Sequence, residues 1–179
     1  MAQTSTTLIS ARSHITSITG TDISLSATAG VYTISATSTV LTGAGKLAVG
    51  DLVTVSGSAS NNSTFTVSTV VSTTELTVAQ VVSSENADGS STITLDHVGF
   101  VSDKAKGDGY YSQPDGVHTV AYQVANDFNA NATIKMQGTL ATTPTEDDWF
   151  DIANTTFTAD GSTVTSSYNF TGNYVWVRS

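Results

Sequence analysis

Residues 132–152 read ATIKMQGTLATTPTEDDWFDI, and residues 162–179 read STVTSSYNFTGNYVWVRS. Ile134, Met136 and Leu140 alternate with Thr133, Lys135, Gln137 and Thr139, which is the two-residue period of a strand with one wet face and one dry face. Val164, Ser166, Tyr168 and Phe170 repeat that pattern, and Tyr174 to Arg178 makes a third run. Thr171-Gly172-Asn173 supplies turn residues between the last two runs, so the pattern predicts a hairpin there. Thr143-Pro144-Thr145-Glu146 has the form of a capping box with Pro at the first helical position. One helical turn is expected, delivering Trp149 to the edge of a core, with Phe150 and Ile152 starting another short strand. Both tryptophans of the chain, Trp149 and Trp176, fall in these stretches. A sheet with this much aromatic surface needs a second layer, and an antiparallel β-sandwich of jelly-roll type over residues 118–179 meets that need. Its first strand is HTVAYQV, with Val120, Tyr122 and Val124 on one face.

Upstream, residues 28–100 carry the runs VYTISA, DLVTVSG, STFTVSTV, TELTV and STITL, separated by Gly, Asn and Ser. Their regular spacing predicts a small all-β unit, a barrel or a meander. Asn61-Asn62 reads as a tight turn in which positive φ is tolerated. Residues 1–27 are Ser/Thr-rich, with spaced Leu and Ile, and predict an extended N-terminal arm containing one or two short strands. Such an arm packs on its own chain or on a neighbouring subunit. Residues 101–117, with Pro114-Asp115-Gly116, read as a linker. The fold class is therefore all-β, with almost no helix.

Ser and Thr together number 56 of 179 residues, and charged residues are 12% with a formal net charge of −9. Thr favours strands and Ser favours turns, while the good helix formers are scarce. Six basic residues spread along an acidic chain argue against a nucleic-acid surface. No run of 18 apolar residues and no signal-peptide core is present, so no membrane partner and synthesis in the cytosol are expected. There is no cysteine, hence no disulfide and no thiolate metal site. Sequons at Asn61, Asn62, Asn131, Asn154 and Asn169 follow from the Ser/Thr content and do not predict glycosylation.

Two stretches resemble a known group. AVGDLVTVSGSASNNSTFTVSTVVSTTELTV, residues 48–78, looks like a small all-β module of tailed-phage virion proteins. ATIKMQGTLATTPTEDDWFDI followed by YNFTGNYVWVRS resembles a sandwich domain of structural proteins of marine-type tailed phages, and more distantly discoidin-type domains. The resemblance implies a non-enzymatic virion component assembled in the bacterial cytoplasm: an accessory, or decoration, protein on the capsid exterior. Its implied partners are other virion proteins and further copies of the chain. A tail, neck or fibre component carrying a carbohydrate-binding sandwich, touching a cell-surface glycan, is the alternative.

The residues themselves offer little chemistry. His14, His97 and His118 lack the short spacing of a metal site built on one element. Glu146, Asp147, Asp148 and Asp151 form the one acidic cluster, without the ligand spacing of an EF-hand, and read as a solvated turn. Asp147 and Asp148 as paired catalytic carboxylates would point to opposite faces of a strand. No catalytic, cofactor or metal residue is assigned. Tyr110, Tyr111, Trp149 and Trp176 are the candidate ligand-binding aromatics, since aromatic faces stack on sugar rings, although rings in a sandwich this size more often fill the core. Trp176 and Arg178 share one face of their run and Val175 and Val177 the other; the sequence leaves open which is buried.

Overall fold

The computed structural model describes residues 5–9, 15–112, 116–125 and 132–179. Among the described residues strands take 47% and helical turns 4%, and the sheets are antiparallel, as the alternation predicts. The chain forms two compact units, one of residues Ser13–Val101 and one of Met1–Arg12 with Ser102–Ser179.

The first unit is a seven-stranded sheet of β1 (Ile18–Gly20), β2 (Ile23–Thr28), β3 (Val31–Ala36), β4 (Asp51–Ser56), β5 (Thr64–Ser72), β6 (Glu75–Val78) and β7 (Ile93–Phe100). Their spatial order is β1-β7-β4-β5-β6-β3-β2. Alternate side chains, Ile23 and Leu25, Val53 and Val55, Phe65 and Val67, Leu76 and Val78, Ile93 and Leu95, enter one core. Ala29 and Gly30 both have positive φ and close the β2–β3 hairpin in two residues, the turn whose twist suits the strands.

β5 is the corner of this sheet. Thr64–Thr66 pair with β4, and from Val67 to Ser72 the strand pairs with β6 through two register shifts. β1 and β2 stand at opposite ends of the strand order, yet only Thr21 and Asp22 separate them in the chain. Three residue steps reach at most about 10 Å. The sheet is therefore rolled until its two edges come near each other, but they do not pair. Of the two expected arrangements, barrel or meander, neither a closed barrel nor a plain meander forms: the roll stays open.

Carboxylates fasten the roll. Asp22 accepts hydrogen bonds from the hydroxyls of Thr39, Ser38 and Thr37 and the N–H groups of Ser38 and Thr39, which hold it well below the usual carboxylate range. Glu85 is lowered in the same way, chiefly by the Ser58 hydroxyl at 2.6 Å and the Ala59 N–H at 2.8 Å. The Asn61-Asn62 expectation needs correcting: neither has positive φ. Asn61 is instead buried, donating to Ser83 O and Glu85 Oε2 while its Oδ1 accepts the Ser83 N–H. A buried amide with partners on every side is worth more here than a turn residue.

Of residues 1–27, Ile18–Gly20 and Ile23–Thr28 are the expected short strands, and Ile15, Ile18, Ile23 and Leu25 are buried in the first core. Leu8 packs on the core of the second unit.

That unit comprises β8 (Ala105–Lys106), a 3-10 turn (Asp108–Tyr111), β9 (Val117–Val124), β10 (Thr133–Ile134), β11 (Gln137–Thr139), a second 3-10 turn (Glu146–Asp148), β12 (Phe150–Asp151), β13 (Phe157–Thr158), β14 (Val164–Thr171) and β15 (Trp176–Arg178). β12-β11-β15-β8 form a four-stranded sheet, and β14-β9 and β10-β13 form two ribbons. Tyr122, Val124 and Phe170 from the long ribbon meet Val177, Met136, Ile152 and Phe157, giving the two-layered core of a β-sandwich. Tyr122 donates its hydroxyl to Thr155 O at 2.9 Å, and burial, with Tyr168 nearby, pushes its pKa up to about 12.

Several local expectations change. β14 does not form a hairpin with β15; it pairs with β9 along its whole length, while β15 pairs with β11 and β8. Thr171-Gly172-Asn173 is thus a crossing between layers. Tyr174 lies over Gly172 and Gly138, where a Cβ would stand 2.4 Å and 2.6 Å from its ring, so the two glycines make the slot that turns the chain inward. The run 133–140 breaks at Lys135-Met136 into β10 and β11, which leaves Leu140 65% exposed and buries Thr139 in its stead. The helical turn is capped by Thr145 with Asp148, one residue after Pro144, rather than by Thr143. Residues 101–117, expected as a linker, carry β8 and the first 3-10 turn; β8 pairs with β15, so the segment is part of the sandwich. Pro114 and Asp115 lie outside the described residues, and Gly116 donates its N–H to Asp108.

Candidate functional site

Val177 enters the core, so Trp176 and Arg178, its neighbours on β15, face outward from the four-stranded sheet. Register then places Lys106 and Thr139 beside Trp176, and Gln137 beside Arg178, with Asp151 next to Gln137. The outer face therefore divides into two clusters.

At the β8 side, Trp176 donates its indole N–H to Thr142 O at 3.1 Å and meets the Tyr110 ring edge-on, with centroids 4.8 Å apart. Tyr110 in turn meets Tyr111 at 5.1 Å and 76°. Lys106 Nζ sits 4.1 Å from the Tyr110 centroid and 5.7 Å from that of Tyr111, while Lys104 Nζ sits 4.7 Å from that of Trp176. Tyr110 is 42% and Tyr111 57% exposed. Three of the four candidate aromatics, Tyr110, Tyr111 and Trp176, are thus brought together, with two lysines laid over their rings.

The 3-10 turn that carries the tyrosines is held from below. Its first residue, Asp108, accepts the Gly116 N–H at 2.7 Å and lies 3.3 Å from His118 Nε2. His118 itself stacks on Phe170 at 5.0 Å and 16°. No spacing in the chain signalled this support.

The fourth aromatic is elsewhere. Trp149 lies over the Arg178 guanidinium at 4.2 Å. Arg178 is only 8% exposed; its two terminal nitrogens reach both Glu146 oxygens at 3.2 and 3.0 Å, and its Nε donates to Gln137 at 2.9 Å. Gln137 continues to Asp151, which Lys135, followed by Gln137, holds below the usual carboxylate range. Trp149 is neither core nor platform: it is the lid of a buried arginine. The acidic cluster is spent in the same places. Glu146 pairs with Arg178, Asp148 caps its own turn and is lowered by Thr145, and Asp151 pairs with Lys135.

Among the described residues no three His, Asp or Glu side chains gather as a metal site. His97 lies 3.5 Å from the buried Asp51 in the first unit, and His14 is outside the described residues. No helix among the described residues is long and apolar enough to cross a membrane. The Tyr110–Tyr111–Trp176 face with Lys104 and Lys106 is the candidate binding surface. Comparison with protein-family models, curated proteins and solved structures returns no match for the chain.

Proposed function

We propose that the chain is a non-enzymatic structural component of a tailed-phage virion, an accessory protein on the capsid exterior that works through subunit contacts. The observation that carries this reading is the β9–β14 ribbon. Its outward side chains, Val117, Thr119, Ala121 and Gln123 on one strand and Thr165, Ser167, Asn169 and Thr171 on the other, are all exposed. None is charged, in a chain of net charge −9. Among the described residues neither strand has a second hydrogen-bonded partner. Proteins normally blunt such edges with Lys, Pro or bulges; a regular uncharged ribbon with free edges suits pairing with another subunit. The two stretches that resemble phage virion modules build β4 to β6 in the first unit and β10 to β12, the end of β14 and β15 in the second.

Mass spectrometry of purified particles tests the reading, and absence of the chain from them defeats it. Copy number separates a head decoration, present in hundreds, from a tail, neck or fibre part. Ala121→Lys with Ser167→Lys, which face each other across the ribbon, should release the protein from particles while both units stay folded.

A further inference from the structure

We infer that the outer face around Tyr110, Tyr111 and Trp176 binds an acidic polysaccharide, a chain of sugar rings bearing carboxylates. The charge distribution points there first. Lys104, Lys106, Lys135 and Arg178 are four of the six basic residues, and all belong to the second unit. Arg178 and Lys135 are neutralised by Glu146 and Asp151. Lys104 and Lys106 form no ion pair among the described residues and rest on the faces of two neighbouring rings instead, so two ammonium groups of an acidic protein are held at one aromatic cluster without being neutralised there. An anion supplies the ion-pair partner that both lack, and the rings hold the ammonium groups in place so that little side-chain freedom is lost on binding.

The rings select what kind of anion. Lys104 covers Trp176, and Lys106 lies nearer to Tyr110, at 4.1 Å, than to Tyr111, at 5.7 Å; Tyr111 is the most exposed of the three and is turned 76° from Tyr110. An exposed phenol ring with the Lys106 ammonium beside it, and Lys104 on the next ring but one, fits a sugar ring that stacks by its C–H face and carries a carboxylate at its rim. Single-stranded nucleic acid also stacks on aromatics, but its dense phosphates need a longer basic track than two lysines on a chain of net charge −9. The inference does not rest on the virion reading: absence from particles removes that one and leaves this one standing.

Calorimetric titration of the full chain with a short oligogalacturonate, a neutral maltooligosaccharide and an oligothymidylate provides the test. The acidic sugar should bind, weaken as salt rises, and exceed both others. Tyr111→Ala should lose about tenfold in affinity, the usual scale for one exposed stacking ring. Lys104→Gln with Lys106→Gln should remove the salt dependence while lowering the melting temperature only slightly, since neither lysine is ion-paired among the described residues and what is lost in the protein is exposed cation–π contact. Equal binding of neutral and acidic sugar, tighter binding of the oligothymidylate, no binding of the acidic sugar, or affinities unchanged in both variants would overturn it.

Discussion

The two units solve one problem, a stable all-β core in a Ser/Thr-rich chain, with different materials. In the first, the core is almost wholly aliphatic, with Phe65 the one buried aromatic, and its strands run to nine residues. In the second, Tyr122, Phe157 and Phe170 are buried, and several strands are only two or three residues long. Long strands gain from many ladder hydrogen bonds and from β-branched side chains that fit the pleat. Short strands gain little from either, so large rings and a paired arginine make up the difference. Polar fastening differs as well: carboxylates collecting Ser and Thr donors in the first unit, cations on rings in the second.

The sharpest way to break this comparison is a cavity in the aliphatic core. Leu76→Ala, at a fully buried site, should cost the first unit about 2–5 kcal/mol and leave the calorimetric transition of the second unit in place. Loss of both transitions together would show that the units are not separate in stability. Next, Arg178→Ala should lower the second transition by about 2 kcal/mol through lost packing under Trp149 and lost hydrogen bonds, with Trp149 emission shifting to the red.

The pH limbs sharpen the contrast. Tyr122 has a raised pKa, so its contribution is complete below the ordinary tyrosine value near 10 and fades as pH climbs toward about 12. The second unit should therefore soften in alkali, and Tyr122→Phe should abolish that step. Asp22, Glu85 and Asp88 are lowered, so their contribution to the first unit is present above the ordinary carboxylate range and disappears as pH falls through their folded values. Asp22→Asn should flatten the acid limb of that unit's melting curve. The smallest effect belongs to Leu140→Ala, which should stay within about 0.5 kcal/mol because the side chain is in water.

Strand interiors were legible in the sequence, and strand partners were not. VYTISA became β3 residue for residue, because alternation along one strand is a local property. Thr171-Gly172-Asn173 looked like a hairpin turn because its residues permit one. What forbids it is Tyr174 seated on Gly138, a contact across more than thirty residues. The same limit applied to the candidate surface. Lys104 and Lys106 are two apart and so share a face, but their place over Trp176 and Tyr110 depends on β8 pairing with β15, some seventy residues on. The place of Trp149 stays open in the sequence for a similar reason: its partner, Arg178, lies on β15, nearly thirty residues on.

The rolled first sheet also imposes a schedule on synthesis. β1 has one partner, β7, with Ile18 opposite Leu95, whereas β2 closes its hairpin with β3 at once. A ribosome adding 5–20 residues per second needs roughly 3–12 s between those two partners. Throughout that interval Ile15 and Ile18 have no core to enter, since β7 supplies its far wall. The nascent chain must carry this apolar lead uncovered, a few residues ahead of a hairpin that is already formed, and the Ser and Thr that flank it keep the waiting segment solvated.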